Sequence, residues 1–294
     1  MEETEQPLRD DYVYGQAGGR VRRSGTALGG PQMPTGQSMV ELPHARIAGG
    51  PKTLVILEGL TLENKAPTGR ALRLLGWAHK RYTGDYTVHQ VGRRPGLPAG
   101  YTTRDMAEDY ASWIGARFDG PVDVIGFSTG GEVAQYVAAD HGELVRRLVL
   151  SDTGCRLGED AKALLRAARD KAAHGRAAEA QADIANHMDF GRFGQGVVKL
   201  LGKRLMKEPD DASDYIATIE ADLGHDATDA LARIAAPTLV VAGSRDFFYP
   251  DPIVRETAER IPQATLRLYD GVGHAVAKTH KRRFEDDVLG FLRR

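Results

Sequence analysis

Short apolar segments alternate with amphipathic segments over most of the chain. After residue 38 the first of these are rich in β-branched and apolar residues, are bounded by Gly and Pro, and predict strands within 39–49 and at 53–57, 86–91 and 122–127. Helical periodicity covers 71–80 and 103–118, and Thr102 and Asp105 have the spacing of a capping box before the second helix. This alternation predicts an α/β fold, with a mostly parallel central sheet and helices on both faces.

The alternation continues and is then interrupted. A helix at 130–139 and a strand at 144–150 are followed by an Ala-rich region with helical periodicity and no convincing strand pattern. Strands at 237–242 and 265–269 then resume, with a helix beginning at Asp251-Pro252 and a last helix at 280–292. We therefore predict a core of residues 39–157 and 232–294, interrupted by a helical cap insertion at 158–231.

The insertion and the amino-terminal segment have different interpretations. Helices at 158–231 are either additional packing or a lid over a site at the carboxyl edge of the sheet. Residues 1–38 are rich in Gly, Pro, Gln and charge and have no hydrophobic period, so we predict a loosely ordered arm there.

Composition restricts the classes of partner. The 39 Lys and Arg residues balance 40 Asp and Glu residues, so no basic excess attracts nucleic acid or an anionic membrane. The acidic amino terminus lacks the features of a secretory signal, and no apolar run is long enough to span a membrane, so we expect a cytoplasmic location. Cys155 is the single cysteine, which excludes an internal disulfide and argues against a cysteine-based metal site.

A Gly-x-Ser-x-Gly motif, VIGFSTGG, stands at the end of the strand predicted at 122–127. With 34 glycines and seven serines in 294 residues, about 0.1 accidental copies of the motif are expected. Its place between a strand and a helix favours a tight turn in which Gly126 and Gly130 leave room and Ser128 projects as a nucleophile. The next amide, of Thr129, would then point to a developing oxyanion. The alternative is a Gly-rich helix cap with an N-capping serine.

A serine nucleophile needs a base, and the base needs an orienting carboxylate. Among nine histidines, His274 follows the last predicted strand in a Gly-rich loop, whereas His280 begins the terminal helix. Asp246 directly follows the strand at 237–242, although a turn aspartate is common at such a place. The order Ser128, Asp246, His274, each after a separate strand, is the order of a nucleophile-elbow hydrolase.

From about Met39 to the carboxyl terminus, the chain resembles the α/β-hydrolase fold superfamily. The resemblance is carried by VIGFSTGG, PTLVVAGSRDFFYP and LRLYDGVGH, supported by GRRPGLPAGYTTRDMAEDYASWI. It implies that Ser128 is the nucleophile, Asp246 the orienting acid and His274 the general base. The helical insertion falls where the family usually inserts its cap.

Two positions depart from the family pattern. Members often carry His-Gly after the strand at 53–57, and the residue after that glycine gives the second oxyanion amide, which here is Leu60. Glu58 replaces the histidine, and a carboxylate there would oppose an oxyanion unless it is paired or points away; a structural glutamate bonded to nearby backbone is the alternative. Asp152 follows the strand at 144–150 and is a reserve acid for His274, or a turn or cap residue.

These observations predict a serine hydrolase without metal or cofactor, acting on a small or medium uncharged ester, thioester or lactone. No dinucleotide-binding or Walker-type glycine motif and no paired metal-ligand spacing occurs. The aromatic run at 247–249 is either an acyl-pocket wall or core packing. Alternatives are C–C bond hydrolysis, amide cleavage, perhydrolysis, acyl transfer or cyclisation in a biosynthetic pathway, and a catalytically silent ligand-binding member of the fold. The sequence leaves the oligomeric state open.

Overall fold

The computed structural model describes residues 40–189 and 206–294. The predicted arm at 1–38 lies outside the described residues, as does part of the predicted cap.

A seven-stranded sheet runs through the described part of the chain. Its strands are β1 (His44–Ile47), β2 (Lys52–Leu57), β3 (Tyr86–Val91), β4 (Val122–Phe127), β5 (Val145–Ser151), β6 (Thr238–Gly243) and β7 (Ala264–Tyr269). Their spatial order is β1-β3-β2-β4-β5-β6-β7. Only the pairing of β1 with β3 is antiparallel, so the predicted mostly parallel sheet is confirmed.

Helices connect the strands and cover both faces of the sheet. They are α1 (Gly69–His79), α2 (Thr103–Gly115), α3 (Thr129–Asp140), α4 (Glu159–Ala173), α5 (Ala177–His187), α6 (Ser213–Leu223), α7 (Asp251–Arg260), α8 (Val276–Thr279) and α9 (Lys281–Leu292). In the described residues between β5 and β6 the regular elements are helical: α4, α5, α6 and a short 3₁₀ turn at Leu231–Arg233.

Adjacent positions along the central strands enter two different cores. Val124 and Leu148 pack in a cluster with the helices of one face, whereas Ile125 and Val149 pack with Phe284 and the rest of α9 on the other. Strands buried on both faces require continuous apolar sequence, which is why the VDVIGF and VRRLVLS segments read as apolar runs. The free Cys155 is buried within the first cluster.

Of two helix caps predicted from the sequence, one is present in the structure and the other is formed by a different residue. The Thr102 hydroxyl accepts the Asp105 N–H and the Asp105 carboxylate accepts the Thr102 N–H, so the predicted capping box is present. Asp251, predicted to cap the helix before Pro252, is instead the first residue of α7, with Pro250 at the cap position. Its carboxylate pairs with Arg255 one turn on, which fixes the side chain along the helix rather than across its end.

The carboxyl ends of the parallel strands lie at one edge of the sheet. Ser128 directly follows β4, and Asp152 directly follows β5. Asp246 lies three residues after the end of β6, and His274 follows β7. Close packing at this edge depends on small residues. A Cβ at Gly130 would lie 2.3 Å from the Leu57 carbonyl oxygen, so β2 and the start of α3 approach each other with no side chain between them.

We expect Gly130→Ala to lower the free energy of unfolding by about 1–3 kcal/mol, because the new methyl group meets backbone that cannot yield. Gly290→Ala in α9 is the matched control. No heavy atom lies within 4 Å of the added Cβ there, and Ala in place of Gly within a helix stabilises by about 0.5–1 kcal/mol. Urea unfolding followed by circular dichroism measures both, and equal effects of the two substitutions would contradict the packing argument.

Candidate active site

Ser128 occupies a strained turn between β4 and α3. Its backbone angles are φ 52° and ψ −122°, in a region that non-glycine residues rarely enter and that costs about 1–3 kcal/mol. Backbone hydrogen bonds hold the turn: the Ser128 N–H donates to the Ser151 carbonyl at 3.0 Å, and the N–H groups of Gly131 and Glu132 donate to the Ser128 carbonyl at 2.7 and 3.1 Å. A Cβ at Gly126 would lie 2.6 Å from the Gly130 carbonyl oxygen, so the turn needs glycine on its strand side.

In the structure, two successive hydrogen bonds connect the side chains of Ser128, His274 and Asp246. The Ser128 hydroxyl lies 3.1 Å from Nε2 of His274, and Nδ1 of His274 lies 2.8 Å from Oδ2 of Asp246. The other Asp246 oxygen accepts the N–H groups of Phe248 and Tyr249 at 2.8 and 3.1 Å. Both carboxylate oxygens are thus occupied, and the Nδ1–H of His274 faces an acceptor that cannot rotate away.

The environment of His274 favours its charged form. Burial opposes the imidazolium, but the charge and hydrogen bond of Asp246, with a further contribution from Asp152, outweigh it and raise the pKa of His274. The ring is held between aromatic neighbours: the Phe248 centroid is 4.6 Å away, and the Tyr249 ring stacks at 5.8 Å. These contacts restrict rotation of the imidazole.

Thr129 and Leu60, the two residues predicted to supply oxyanion amides, both border the cavity beside Ser128. Thr129 is the first residue of α3, so its N–H has no acceptor within the helix and lies at the positive end of the helix dipole. Gly59 packs against Ser128, since a Cβ there would lie 3.4 Å from Cβ of Ser128. Leu60 follows it and borders the same cavity as Ser128.

Glu58 is hydrogen-bonded to a side chain of β3. Nε2 of Gln90 donates to Oε1 of Glu58, and Nε2 of His79 in turn donates to Oε1 of Gln90 at 2.7 Å. The Arg93 guanidinium donates to the backbone carbonyls of Glu58 and Gly59. The partner of the Glu58 carboxylate is therefore a side-chain amide of β3, and not nearby backbone. The backbone at Glu58 and Gly59 is fixed by the buried Arg93.

Asp152 is close to His274 without a hydrogen bond to it. Its carboxylate accepts the Ser151 hydroxyl at 3.1 Å and the Val276 N–H at 3.4 Å. Its backbone has φ 50°, and burial raises its pKa to about 6. Asp152 thus fixes the start of α8 and adds negative charge behind His274, and Asp246 is the carboxylate that His274 binds.

The sequence prediction omitted a group of buried polar side chains beside Ser128. Glu132 and Thr129 lie in the first turn of α3, Asp222 lies near the end of α6, and Tyr249 follows Asp246 by three residues. Glu132 is fully buried, and the Tyr249 hydroxyl donates to it at 2.7 Å. A charged residue within the apolar sequence after Ser128 is the only local signal of this group.

A cavity of about 630 Å³ opens beside the Ser128–His274 pair. Its apolar wall is built from both the core and the helices between β5 and β6: Ile56, Leu75, Phe127, Leu157, Leu165, Ile184, Met188, Phe248 and Phe284. Of the aromatic run at 247–249, Phe248 and Tyr249 line the cavity, whereas Phe247 packs against His187. The volume falls within the range of small-molecule sites.

Two features are absent from residues 40–189 and 206–294. No helix there has the length and apolar character needed to cross a membrane. No cluster of three or more His, Cys, Asp or Glu side chains there has an arrangement that could hold a metal ion.

Comparison with known proteins relates this chain to hydrolases. Residues 67–286 match the model of the alpha/beta hydrolase family. The chain is 28% identical over 221 residues to the pimeloyl-[acyl-carrier protein] methyl ester esterase of Chromobacterium violaceum, covering 68% of this chain and 81% of that protein. It is 34% identical over 183 residues to the polyketide synthase ThaQ of Burkholderia thailandensis, but covers only 9% of that protein.

Solved structures show the same fold. The enol-lactonase of Burkholderia xenovorans LB400 superposes with a TM-score of 0.70 at 19% identity, over 86% of this chain and 96% of that one.

We expect Asp246→Asn to shift the acid limb of activity. Neutral His274 is the form that can take a proton, so activity appears as pH rises through its pKa, which lies above the ordinary 6.5 in the parent. Removing the Asp246 charge lowers that pKa and moves the limb to lower pH, while kcat falls about 10³–10⁴-fold because the imidazole loses its orienting acceptor. For ester hydrolysis, the dependence of log kcat/KM on pH measures the shift of the limb, and kcat at saturating substrate measures the loss.

Asp152→Asn is the control for this experiment, because asparagine also tolerates a positive φ. It removes a charge near His274 but no hydrogen bond to the ring. We expect a smaller shift of the acid limb and a far smaller loss of kcat. A folded Asp246→Asn protein with an unchanged acid limb would contradict the assignment.

Proposed function

Because the chain belongs to the alpha/beta hydrolase family, we propose that it is a serine hydrolase that cleaves a small or medium uncharged ester, thioester or lactone through an acyl-enzyme. The hydrogen-bonded line from Ser128 through His274 to Asp246, at 3.1 and 2.8 Å, is the observation that carries this proposal. It stands beside a cavity with a mostly apolar wall, which suits an uncharged acyl group.

In the proposed reaction, the Ser128 oxygen attacks the substrate carbonyl while Nε2 of His274 takes the hydroxyl proton. The charge that develops on the carbonyl oxygen is accepted by the N–H groups of Thr129 and Leu60. His274 then gives the proton to the leaving group, and the acyl group remains on Ser128. Water, activated by the same histidine, attacks the acyl-enzyme and releases the acid.

We assign substrate selection to the helices between β5 and β6 and treat them as a cap over the core. Leu165 of α4, Ile184 of α5 and Asp222 of α6 line the cavity together with core residues. The chemistry then resides on loops of the sheet, while the shape of the acyl pocket is set by the insertion. This division corresponds to the cap at 158–231 and the core on either side of it.

Helix α1 favours a second candidate substrate, an acyl ester or thioester carried on an acidic protein. Its side chains Leu74 and Trp77 are 67% and 70% exposed, and Trp77 also borders the cavity. The same helix carries Arg70 and Arg73 and no acidic residue. A basic surface with exposed apolar groups at a cavity complements an acidic carrier, and the Chromobacterium relative is named for an acyl-carrier protein substrate.

We expect a fluorophosphonate probe to label the parent protein and not Ser128→Ala, because the probe reacts with an activated serine hydroxyl. Hydrolysis of activated esters should fall by several orders of magnitude in Ser128→Ala, to a residual rate that comes from binding and the oxyanion site. A panel of esters and thioesters of graded chain length, assayed with the parent, then defines the acyl group. Ser112→Ala is the control, because this serine lies on α2 and does not line the cavity.

Two results would contradict this proposal. A folded parent that resists labelling and hydrolyses no ester would favour a silent ligand-binding protein. A labelled parent that hydrolyses no ester or thioester would favour C–C bond hydrolysis, acyl transfer or cyclisation.

For the carrier-bound candidate, we expect Arg73→Glu to lower kcat/KM severalfold for a carrier-linked acyl ester, because charges at an interface rim act mainly on association. The loss of kcat/KM should shrink as salt is added. The free methyl ester of the same acid should be hydrolysed at the parent rate. Lys52→Glu is the matched control, because it changes an exposed charge at the start of β2, at the end of the strand opposite to the carboxyl edge. Equal effects on both substrates would exclude this docking surface.

A further inference from the structure

Four buried side chains from three parts of the fold are connected beside Ser128. The Tyr249 hydroxyl, in the loop after β6, donates to Oε1 of Glu132 at 2.7 Å. The Thr129 hydroxyl donates to Oδ2 of Asp222, on α6, at 2.9 Å. The four side chains are between 0% and 4% exposed. The group therefore joins the loop of Asp246, the turn at Ser128 and a helix of the insertion.

The centre of this group contains two carboxyl groups that face each other. Oε2 of Glu132 and Oδ1 of Asp222 are both buried and have no other partner in the described part of the chain. The two groups are within hydrogen-bonding reach of one another. If both were ionised, two like charges would be buried together and two acceptors would lack a donor. One proton between the two oxygens removes both penalties.

We propose that Glu132 and Asp222 share one proton, and that this pair is a positioning device that fixes Thr129, and with it the proposed oxyanion amide, to helix α6. The proposal rests on the proposed function for its catalytic consequence only. Glu132 donates the shared proton and Asp222 keeps the negative charge, which the Thr129 hydroxyl stabilises. A proton between carboxyl groups thus links the insertion to the residue that follows the nucleophile.

The charge of the pair has a direct consequence for the proposed reaction. A single negative charge on Asp222, which accepts the Thr129 hydroxyl at the start of α3, is stabilised by the dipole of that helix. A second charge would lie beside the site where the oxyanion develops, and would oppose it. Sharing one proton keeps the pair at a single charge, so the Thr129 N–H can stabilise the transition state.

The other titratable groups that face Glu132 and Asp222 do not change their charge, so the pair is the group that titrates. Arg93 faces Asp222 from the loop after β3 and favours its ionised form. Tyr249, Tyr215 and Tyr136 also face the two carboxyls, and burial raises the pKa of each phenol, so these groups stay neutral. Burial, with the charge of Asp222, raises the pKa of Glu132 well above its usual range, and burial raises the pKa of Asp222 to about 6.

Glu132→Gln tests the pair, because glutamine reproduces the protonated form. Its carbonyl accepts the Tyr249 hydroxyl and its amide donates permanently to Asp222. With an uncharged aryl ester, we expect kcat of Glu132→Gln to lie within about threefold of the parent value. We also expect kcat to fall at alkaline pH in the parent but not in Glu132→Gln. Glu132→Ala leaves Oδ1 of Asp222 without a donor, and we expect kcat at least about tenfold lower with a smaller change in KM.

Thermal unfolding tests the shared proton independently of catalysis. The folded-state pKa of Glu132 is raised, so its contribution to stability is present at low pH and is lost as pH rises towards that pKa. Glu132→Gln has no such proton. The difference in Tm between Glu132→Gln and the parent should therefore grow in favour of the variant from about pH 5 to about pH 9.

Asp123→Asn is the matched control. Asp123 is a buried carboxylate on β4 that pairs with Arg146 and does not line the cavity. We expect it to lower Tm and leave kcat per folded molecule unchanged. A Tm difference that is independent of pH would overturn the shared proton, and Glu132→Gln as slow as Glu132→Ala would overturn the positioning role. A parent inactive on every ester would instead refute the proposed function, while the Tm series would still decide the pair.

Discussion

The arrangement of this protein depends on the backbone turn at Ser128. A non-glycine residue at φ 52° is unfavourable, and it persists because β4, α3 and the neighbouring strands fix both sides of it. Glycine at Gly126 and Gly130 lets backbone meet backbone where any side chain would collide. The serine hydroxyl thereby projects from the carboxyl edge of the sheet, where the loop after β7 delivers His274 at 3.1 Å.

Around this turn the fold buries ionisable groups, and each described carboxyl has a specific partner. Asp246 is bound by His274 and two backbone amides, and Asp152 by a hydroxyl and a backbone amide. Glu58 is held by the amide of Gln90. Because an unpaired charge in such a place is costly, each of these contacts fixes a loop as well as a charge. Electrostatics and geometry are therefore set by the same hydrogen bonds.

The family relation and the insertion supply different information about function. The sheet and its loops are shared with alpha/beta hydrolases, including a structural neighbour that is an enol-lactonase at 19% identity. At that identity the likeness extends to the fold alone. Helices α4, α5 and α6 contribute to the cavity wall. The hydrogen bond from the Thr129 hydroxyl to Asp222 joins α6 to the turn at Ser128.

Local patterns in the sequence determined the sheet, most helix positions and the order of Ser128, Asp246 and His274 after separate strands, because periodicity and tight turns depend on neighbouring residues. The antiparallel direction of β1 and the partner of Glu58 required the tertiary structure. Two candidate acids followed adjacent strands, and only the folded loops show that Nδ1 of His274 faces Asp246. The sequence signalled only the buried charge of Glu132, as a charged residue within an apolar segment, and not the facing of Glu132 and Asp222. That facing arises where a helix of the insertion packs on α3, and a contact between residues far apart in the chain leaves no periodic pattern in either segment.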